Sequence, residues 1–402
     1  MVYLALGSNL GDRWENIETA ISRISPFFGV KISSLVLETA AILPFGAPSH
    51  WNLPYLNMMV AGNTSQNPAE LLSSLKKVEM EMGRSPEDPF WSPRIIDIDI
   101  VAYHDLVVQD PELSIPHKEI ENRDFWQYLL MNLGYKIPPG IRLDMEKFSA
   151  LNYFVLNPKF VGIVNVTPDS FSDGGKFFNP KNALARLESL RQSGARLIDL
   201  GAQSTRPNYV EISPEEEIAR LSPVLEHCGQ MNCLSLDSYF DEVIEYALKK
   251  CPLKWINDQN SRLSCETIKL IANRGIKLVV MLHGTDVSWF GRRLECLENL
   301  GMIRENIILD PGIGFQKTKL QSLEITKNLK RIKEFGCEIL YAHSRKSFIS
   351  LFSNAVAAGR DAETLAISEF VRHSVDYLRV HNVEDHMRFF VAKHQLENGV
   401  FA

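Results

Sequence analysis

The chain has 402 residues, 45% apolar and 23% charged, which allows a sizeable core and two or three domains. A formal net charge of −6 without a Lys/Arg-rich run excludes a nucleic-acid footprint, and no apolar run is long enough for a membrane span. The six cysteines form no C-x-x-C pair, and MVYLALGSNLGDR carries no basic leader, so a cytoplasmic protein acting on a small molecule is expected.

In chain order, the first part predicts a strand YLALGS, a helix over 13–25, an extended run VKISSLVLET and a strand LNMMVAG. A helix over 68–82, the strand IIDIDIVAY and the helix RDFWQYLLMNL follow. Short strands mixed with long helices predict an α+β, ferredoxin-like layer sandwich over 1–135. Asn67, Pro68 and Glu70 form a capping-box pattern at the start of the second helix. On that helix Glu79 falls inside the apolar arc of Leu71, Leu72, Leu75, Val78 and Met82, a place for a carboxylate with a partner or a task. In PRIIDIDIVAY the isoleucines share one strand face, which sets Asp97 and Asp99 side by side on the other. Alternating acids also suit a wet edge strand. Trp91, Arg94, Arg84 and His117 tilt the reading towards a site for Mg²⁺ ions and phosphates. No Walker-type G-x-x-x-x-G-K-[ST] is present.

Gly and Pro cluster between the two parts, predicting a connector over 136–158. Beyond it, FVGIVNV, ARLIDLG, CLSLD, KWIND, KLVVMLH, NIILDP, EILYAHS and YLRVH are eight strand candidates, most followed by a helical stretch. Eight β–α repeats over 159–402 predict a TIM (β/α)8 barrel, with a doubly wound sheet as runner-up. Polar residues stand where the strands stop: Asn165, Asp199, Asp237, Asn257 and Asp258, His283, Asp310, Ser344 to Lys346, and Arg379 with His381. A single Asp there is usually a turn former, but in a barrel all eight ends open on the active rim. Anion grips (Arg206, Lys346, Arg379, His381) beside buried acids and an amide (Asp237, Asn257, Asp310) suit a planar heterocycle carrying a phosphate or diphosphate.

NVTPDSFSDGG, STRP, LDPGIGF, SRKS and RVH resemble, in order, the signatures of dihydropteroate synthase. The resemblance implies condensation of 6-hydroxymethyl-7,8-dihydropterin diphosphate with p-aminobenzoate on the barrel, releasing diphosphate. It implies that Asp237, Asn257, Asp310 and Lys346 hold the pterin, and that Asn165, Arg379 and His381 take the diphosphate, with Asn165 on one Mg²⁺. Thr205, Arg206, Pro207, Phe315 and Ser344 would shape the p-aminobenzoate pocket. It also implies a possible homodimer through the barrel. Departures are Ala202, Gln203 and Asn208 in GAQSTRPN, Gln259 where an aliphatic residue is common, and Ala342.

LALGSNLGDR, YLN, EMEMGR, W-x-P-R-x-x-D-x-D, IPH and NRDF resemble hydroxymethyldihydropterin pyrophosphokinase. That resemblance implies transfer of diphosphate from ATP to the pterin hydroxymethyl group, with AMP released. Asp97 and Asp99 would hold two Mg²⁺ ions. Arg84, Arg94, His117 and Arg123 would contact phosphates, Glu79 and Trp91 would lie beside ATP, Tyr55 and Phe125 would sandwich the pterin, and Asn57 would read its edge. Pro86, Glu112 and Lys118 depart from the family pattern. The product of the first reaction is the substrate of the second, so successive folate steps on one chain are the expected function. The alternatives are a first half reduced to a binding module, and a barrel that serves a pterin methyltransferase.

Overall fold

In the computed structural model the isoleucines of the paired-acid strand lie in the core: Ile96 and Ile98 are 0% and Ile100 2% exposed. The structure describes residues 1–85, 87–136, 152–167, 180–203 and 211–398, and the chain divides into two units. One comprises Met1–Leu156 with the C-terminal residues from Arg388; the other is Asn157–Met387.

The first unit runs β1 (Val2–Ser8), α1 (Arg13–Ile24), β2 (Gly29–Ser33), β3 (Val36–Thr39), β4 (Tyr55–Asn63), α2 (Pro68–Glu81) and β5 (Asp97–Tyr103). The short pair β6 (Val108–Gln109) and β7 (Ser114–Ile115), α3 (Asp124–Asn132) and β8 (Asn152–Phe154) complete it. The antiparallel sheet has the order β5-β1-β4-β3-β8, with β2 also on β4. VKISSLVLET, expected as one run, is thus split in two. Ser34 causes the break: its hydroxyl accepts from Met59 N at 2.9 Å, where a continuous strand would offer a carbonyl. Within the expected connector, β8 pairs with β3, Tyr153 opposite Leu37.

α1 packs on β1 and α2 on β5, covering the isoleucine face. The opposite face carries a second core of Ala5, Met59, Val101, Trp126 and Leu130, so the aspartates stand at the open end of an otherwise apolar surface. The capping box of α2 is formed: Glu70 N donates to Asn67 Oδ1 at 3.0 Å, and Asn67 N to Glu70 Oε2 at 2.9 Å.

In the second unit β9 (Lys159–Asn165), β10 (Leu197–Gly201), β11 (Leu234–Asp237), β12 (Trp255–Asp258), β13 (Lys277–Met281), β14 (Ile307–Asp310), β15 (Glu338–Tyr341) and β16 (Tyr377–Val380) are parallel neighbours. β16 closes on β9, giving the expected barrel of eight strands. Val161, Leu197, Trp255, Val279, Ile308, Leu340 and Tyr377 plug it near the strand starts, where Glu338 also pairs with Lys277. Filling that end leaves the strand C-termini as the polar mouth. Among the described residues no helix is long and apolar enough to cross a membrane.

Candidate active sites

Sheet register builds the first site: Asp97 lies opposite Gly7, and Gly7 opposite Asn57. A Cβ on Gly7 would stand 3.1 Å from Asn57 Oδ1, so the missing side chain leaves room for the amide. Arg84 Nη1 donates to Asp97 Oδ1 at 2.6 Å and to Glu79 Oε2 at 2.7 Å, and Arg94 Nη1 reaches Asp97 Oδ2 at 3.3 Å. Asn9 fixes the Arg94 backbone from both sides, accepting from Arg94 N at 2.8 Å and donating its own N–H to Arg94 O at 3.2 Å. Tyr55 is within electrostatic reach of Arg94, Asp97, Arg123 and Arg84.

Glu79, expected beside the nucleotide, is only 1% exposed. It accepts from Ile98 N at 2.6 Å and from Lys76 Nζ at 3.0 Å, so its task is to pin α2 to β5 and to hold Arg84. His117 Nδ1 accepts from Glu119 N at 3.2 Å, and Arg123 lies over the Trp126 ring at 4.7 Å. Burial and Arg123 push His117 down, so near neutral pH it offers hydrogen bonds and no charge. Phe125 packs partly buried against the α3 core. Trp91, 38% exposed, takes φ +75°, a strained conformation of the kind that collects at functional sites.

Burial works against Asp97 ionisation, but Arg94 and Arg84 hold its carboxyl below the usual range. Asp99 has no hydrogen bond or ion pair among the described residues, and burial with Asp97 beside it pushes it up to about 7. Lys76 and Arg123 act on Asp99 only from beyond ion-pair distance, and a divalent cation would supply a direct counter-charge. The described residues contain no cluster of three or more acidic, His or Cys ligands. Two carboxylates suffice for magnesium, which usually keeps waters and takes substrate phosphates as its other ligands.

The second site is also a product of register. Asn165, Gly201, Asp237 and Asn257 lie in one row around the barrel mouth. A Cβ on Gly201 would come within 3.2 Å of Asp237 Cβ, so the glycine clears space for that carboxylate. Beneath the row Asp199, 1% exposed, accepts from Ser235 Oγ at 2.5 Å, Asn257 Nδ2 at 3.1 Å and Arg379 Nε at 2.6 Å. Arg379 Nη2 donates to Asp237 Oδ2 at 2.8 Å, and Gln259 Nε2 to both Asp237 oxygens at 2.7 Å. Burial, with Asp199 near, pushes Asp237 up to about 8. Asn257 Oδ1 is buried with no partner.

Asp310 accepts from Gly312 N at 2.7 Å, and Lys346 Nζ lies 3.9 Å from the Phe315 ring centre. Burial pushes Lys346 down to about 8 against the pull of Asp310. Arg345, at φ +60°, is held by Asp361 in two bonds of 2.7 Å, which orients the following lysine. Ser344 Oγ and His381 Nδ1 are 2.8 Å apart. Burial, Arg345 and Arg379 push His381 down to about 3, so near neutral pH its grip on an anion is a hydrogen bond and not a charge. Arg379 has two of its nitrogens bound to acids, Nε to Asp199 and Nη2 to Asp237. Thr205, Arg206 and Pro207 lie outside the described residues.

Sequence reasoning named Asp199 only as one of the strand-end residues and gave no role to Lys317 or Asn9. Asp199 had a signal, an acid inside the apolar strand LIDLG. Lys317 had none: it is tied to the carbonyls of Leu282, Gly312 and Phe315 at 2.7, 2.9 and 3.2 Å, which fixes the loop after Asp310.

Behind Asp237, Glu217 is 1% exposed and burial pushes it up to about 7. A raised acid is protonated in the fold before it is in the unfolded chain, so its cost grows as pH rises through the window from 4.5 to about 7. Glu217→Gln should therefore raise stability by about 1–3 kcal/mol above pH 7 and change little near pH 4. Melting curves across that range test this; equal effects at both ends would contradict it.

The family model described as 7,8-dihydro-6-hydroxymethylpterin-pyrophosphokinase (HPPK) matches residues 3–134, and the one described as pterin binding enzyme matches 161–381. A folate synthesis bifunctional protein of Chlamydia caviae is 34% identical over 97% of both chains. This chain belongs to the bifunctional folate-synthesis family. Another member, from Arabidopsis thaliana, is 30% identical over 96% of this chain and 94% of its own. The barrel resembles dihydropteroate synthase of Anaplasma phagocytophilum with bound 6-hydroxymethylpterin-monophosphate (35% identity, TM-score 0.53, 60% of this chain and 98% of that one). It also resembles the Xanthomonas albilineans enzyme with 4-aminobenzoic acid (28% identity, TM-score 0.56, 61% and 95%). The chain is thus a bifunctional enzyme with a pyrophosphokinase domain and a dihydropteroate synthase domain.

Proposed function

We propose that the two sites perform successive steps on one heterocycle, and that the residues carry them as follows. In the pyrophosphokinase unit the hydroxyl oxygen of 6-hydroxymethyl-7,8-dihydropterin attacks the β-phosphorus of ATP. The bond between that phosphorus and the α–β bridging oxygen breaks, AMP leaves and the hydroxyl proton is lost. Asp97 and Asp99 would hold two magnesium ions, which supply positive charge to the triphosphate. Arg84, Arg94 and Arg123 bind phosphate oxygens, His117 donates a hydrogen bond, and Trp91 lies beside ATP. Tyr55 and Phe125 face the pterin and Asn57 reads its edge. The unpaired Asp99 beside the doubly paired Asp97 carries this reading.

In the synthase barrel the bond from the pterin methylene carbon to diphosphate breaks, and that carbon then bonds to the amine nitrogen of p-aminobenzoate, which loses a proton. Asp237, Asn257, Asp310 and Lys346 hold the pterin; the buried, unpaired Asn257 Oδ1 supports this, since it needs an N–H donor. Lys346 and the free edge of Arg379 face the departing charge, with His381 as a neutral donor. Asn165 offers one neutral oxygen, enough to hold a third magnesium ion only together with diphosphate oxygens. Thr205, Arg206, Pro207, Phe315 and Ser344 shape the p-aminobenzoate pocket. Two assays test the whole: AMP from ATP and the hydroxymethyl pterin, and dihydropteroate when p-aminobenzoate is added. No AMP at saturating substrate would reduce the first unit to a binding module; methyl transfer without diphosphate release would overturn the second.

The protein acts in the cytoplasm, a reading supported by the buried free thiols of Cys228, Cys251 and Cys337; cell fractionation finding it in an oxidising compartment would refute this. A homodimer through the barrel is supported by exposed Leu320, Leu351, Phe352, Val356 and Phe370, 41–75% accessible. Phe370→Glu should weaken it in sedimentation, and a monomeric wild type would exclude it.

A further inference from the structure

Gln259, one residue past β12, is 6% exposed. Its Nε2 lies 2.7 Å from each Asp237 oxygen. With its nitrogen on both oxygens of Asp237, the amide turns its own oxygen away from that carboxyl group. That oxygen, Oε1, is buried and has no hydrogen-bond partner among the described residues. Asn257, two residues earlier, repeats the arrangement: Nδ2 donates to Asp199 at 3.1 Å, and Oδ1 is buried and unpaired. Two neighbouring amides thus each spend a donor on a barrel acid and keep a dry acceptor in reserve. A buried acceptor without a partner is costly, so two of them on neighbouring residues suit a ligand that brings N–H donors. The Gln259 backbone is itself anchored, its carbonyl 2.7 Å from His283 Nε2, so the side chain starts from a fixed point.

We propose that Gln259 is a positioning and recognition residue of the synthase site: its amide nitrogen locks the Asp237 carboxylate, and its amide oxygen accepts from an N–H of the bound heterocycle. This rests on the synthase reading above and adds to it a polar contact where an aliphatic side chain would give only packing. The ligand class is a reduced aminopteridinone, whose edge carries several N–H donors. A site whose acceptors are matched to such donors discriminates strongly against a ring that lacks one, because the acceptor would then stay buried and unpaired.

The test uses the full chain with Gln259→Leu, which removes both functions, and Gln259→Glu, which keeps an acceptor but replaces the donor with a charge beside Asp237. Binding of 6-hydroxymethylpterin is measured by calorimetry, KM is measured for each synthase substrate, and the kcat pH profile is recorded. Gln259→Leu should weaken pterin binding and raise KM for the pterin diphosphate about tenfold, leave KM for p-aminobenzoate within about twofold, and move the acid limb of the profile upward. Gln259→Glu should weaken pterin binding as well. Pyrophosphokinase turnover and melting curves of the same samples report folding; if Gln259→Leu does not fold, Gln259→Glu decides. Pterin affinity within twofold of wild type in the folded variant, or equal changes in both KM values, would overturn the proposal. Wild-type protein making no dihydropteroate would instead sink the synthase reading.

Discussion

Asp99→Asn should abolish diphosphate transfer from ATP, by about a thousandfold or more in kcat, while dihydropteroate formation from supplied pterin diphosphate stays within about twofold of wild type. The substitution is nearly isosteric and removes a charge that no arginine or lysine pairs with. The ligand-free protein should therefore melt slightly higher, since the repulsion with Asp97 is gone. That combination, a more stable fold and a dead first step, separates a cation-binding role from a structural one. Loss of both activities, or of neither, would contradict it. Asp97→Asn should differ in one respect: it also deprives Arg84 and Arg94 of their shared partner, so stability should fall.

Arg379→Met should destabilise the barrel by about 3–5 kcal/mol near pH 8, lowering the melting temperature by roughly 10 °C, and should abolish dihydropteroate formation. Arg379 is the cation shared by Asp199 and Asp237, and removing it leaves two buried carboxylates facing each other. The sign of the pH dependence follows from Asp237, already held up to about 8 by burial and Asp199 with the arginine present. Without Arg379 it rises further, so the acids go neutral in the fold as pH falls and the penalty shrinks towards pH 4. Melting curves of wild type and variant from pH 4 to 9 test this; a penalty independent of pH would mean that lost packing, not charge, is responsible. Adding Asp237→Asn to Arg379→Met should restore part of the stability.

Much of the architecture was legible because it rests on periodicity. Period-two alternation in IIDIDIVAY placed three isoleucines in the core and two aspartates on the other face, and eight apolar strand candidates became eight barrel strands. Capping chemistry at Asn67 and Glu70 was readable for the same reason, since it is local. What escaped depends on partners far away in sequence. VKISSLVLET splits because Ser34 meets Met59 of another strand. Glu79 carries the sequence signal of a buried acid, yet whether it touches a ligand or holds Arg84 is decided by Ile98 and Lys76. His381 closes the RVH motif, but the burial that pushes it down to about 3, together with Arg345 and Arg379, comes from residues distant in sequence. Gln259 stood out only as a departure from a pattern; its bonds to Asp237 give that departure a chemical meaning.

The chain returns to its first unit at the end: residues from Arg388 belong with Met1–Leu156, and Gln395 Nε2 donates to the hydroxyl of Tyr128, 267 positions earlier. The boundary between the two units falls inside a single helix, Val383–Asn398, which runs through it without a break. A truncation within that helix would therefore take residues from the end of the barrel and from the first unit together, so the two activities cannot be trimmed apart at this end of the chain.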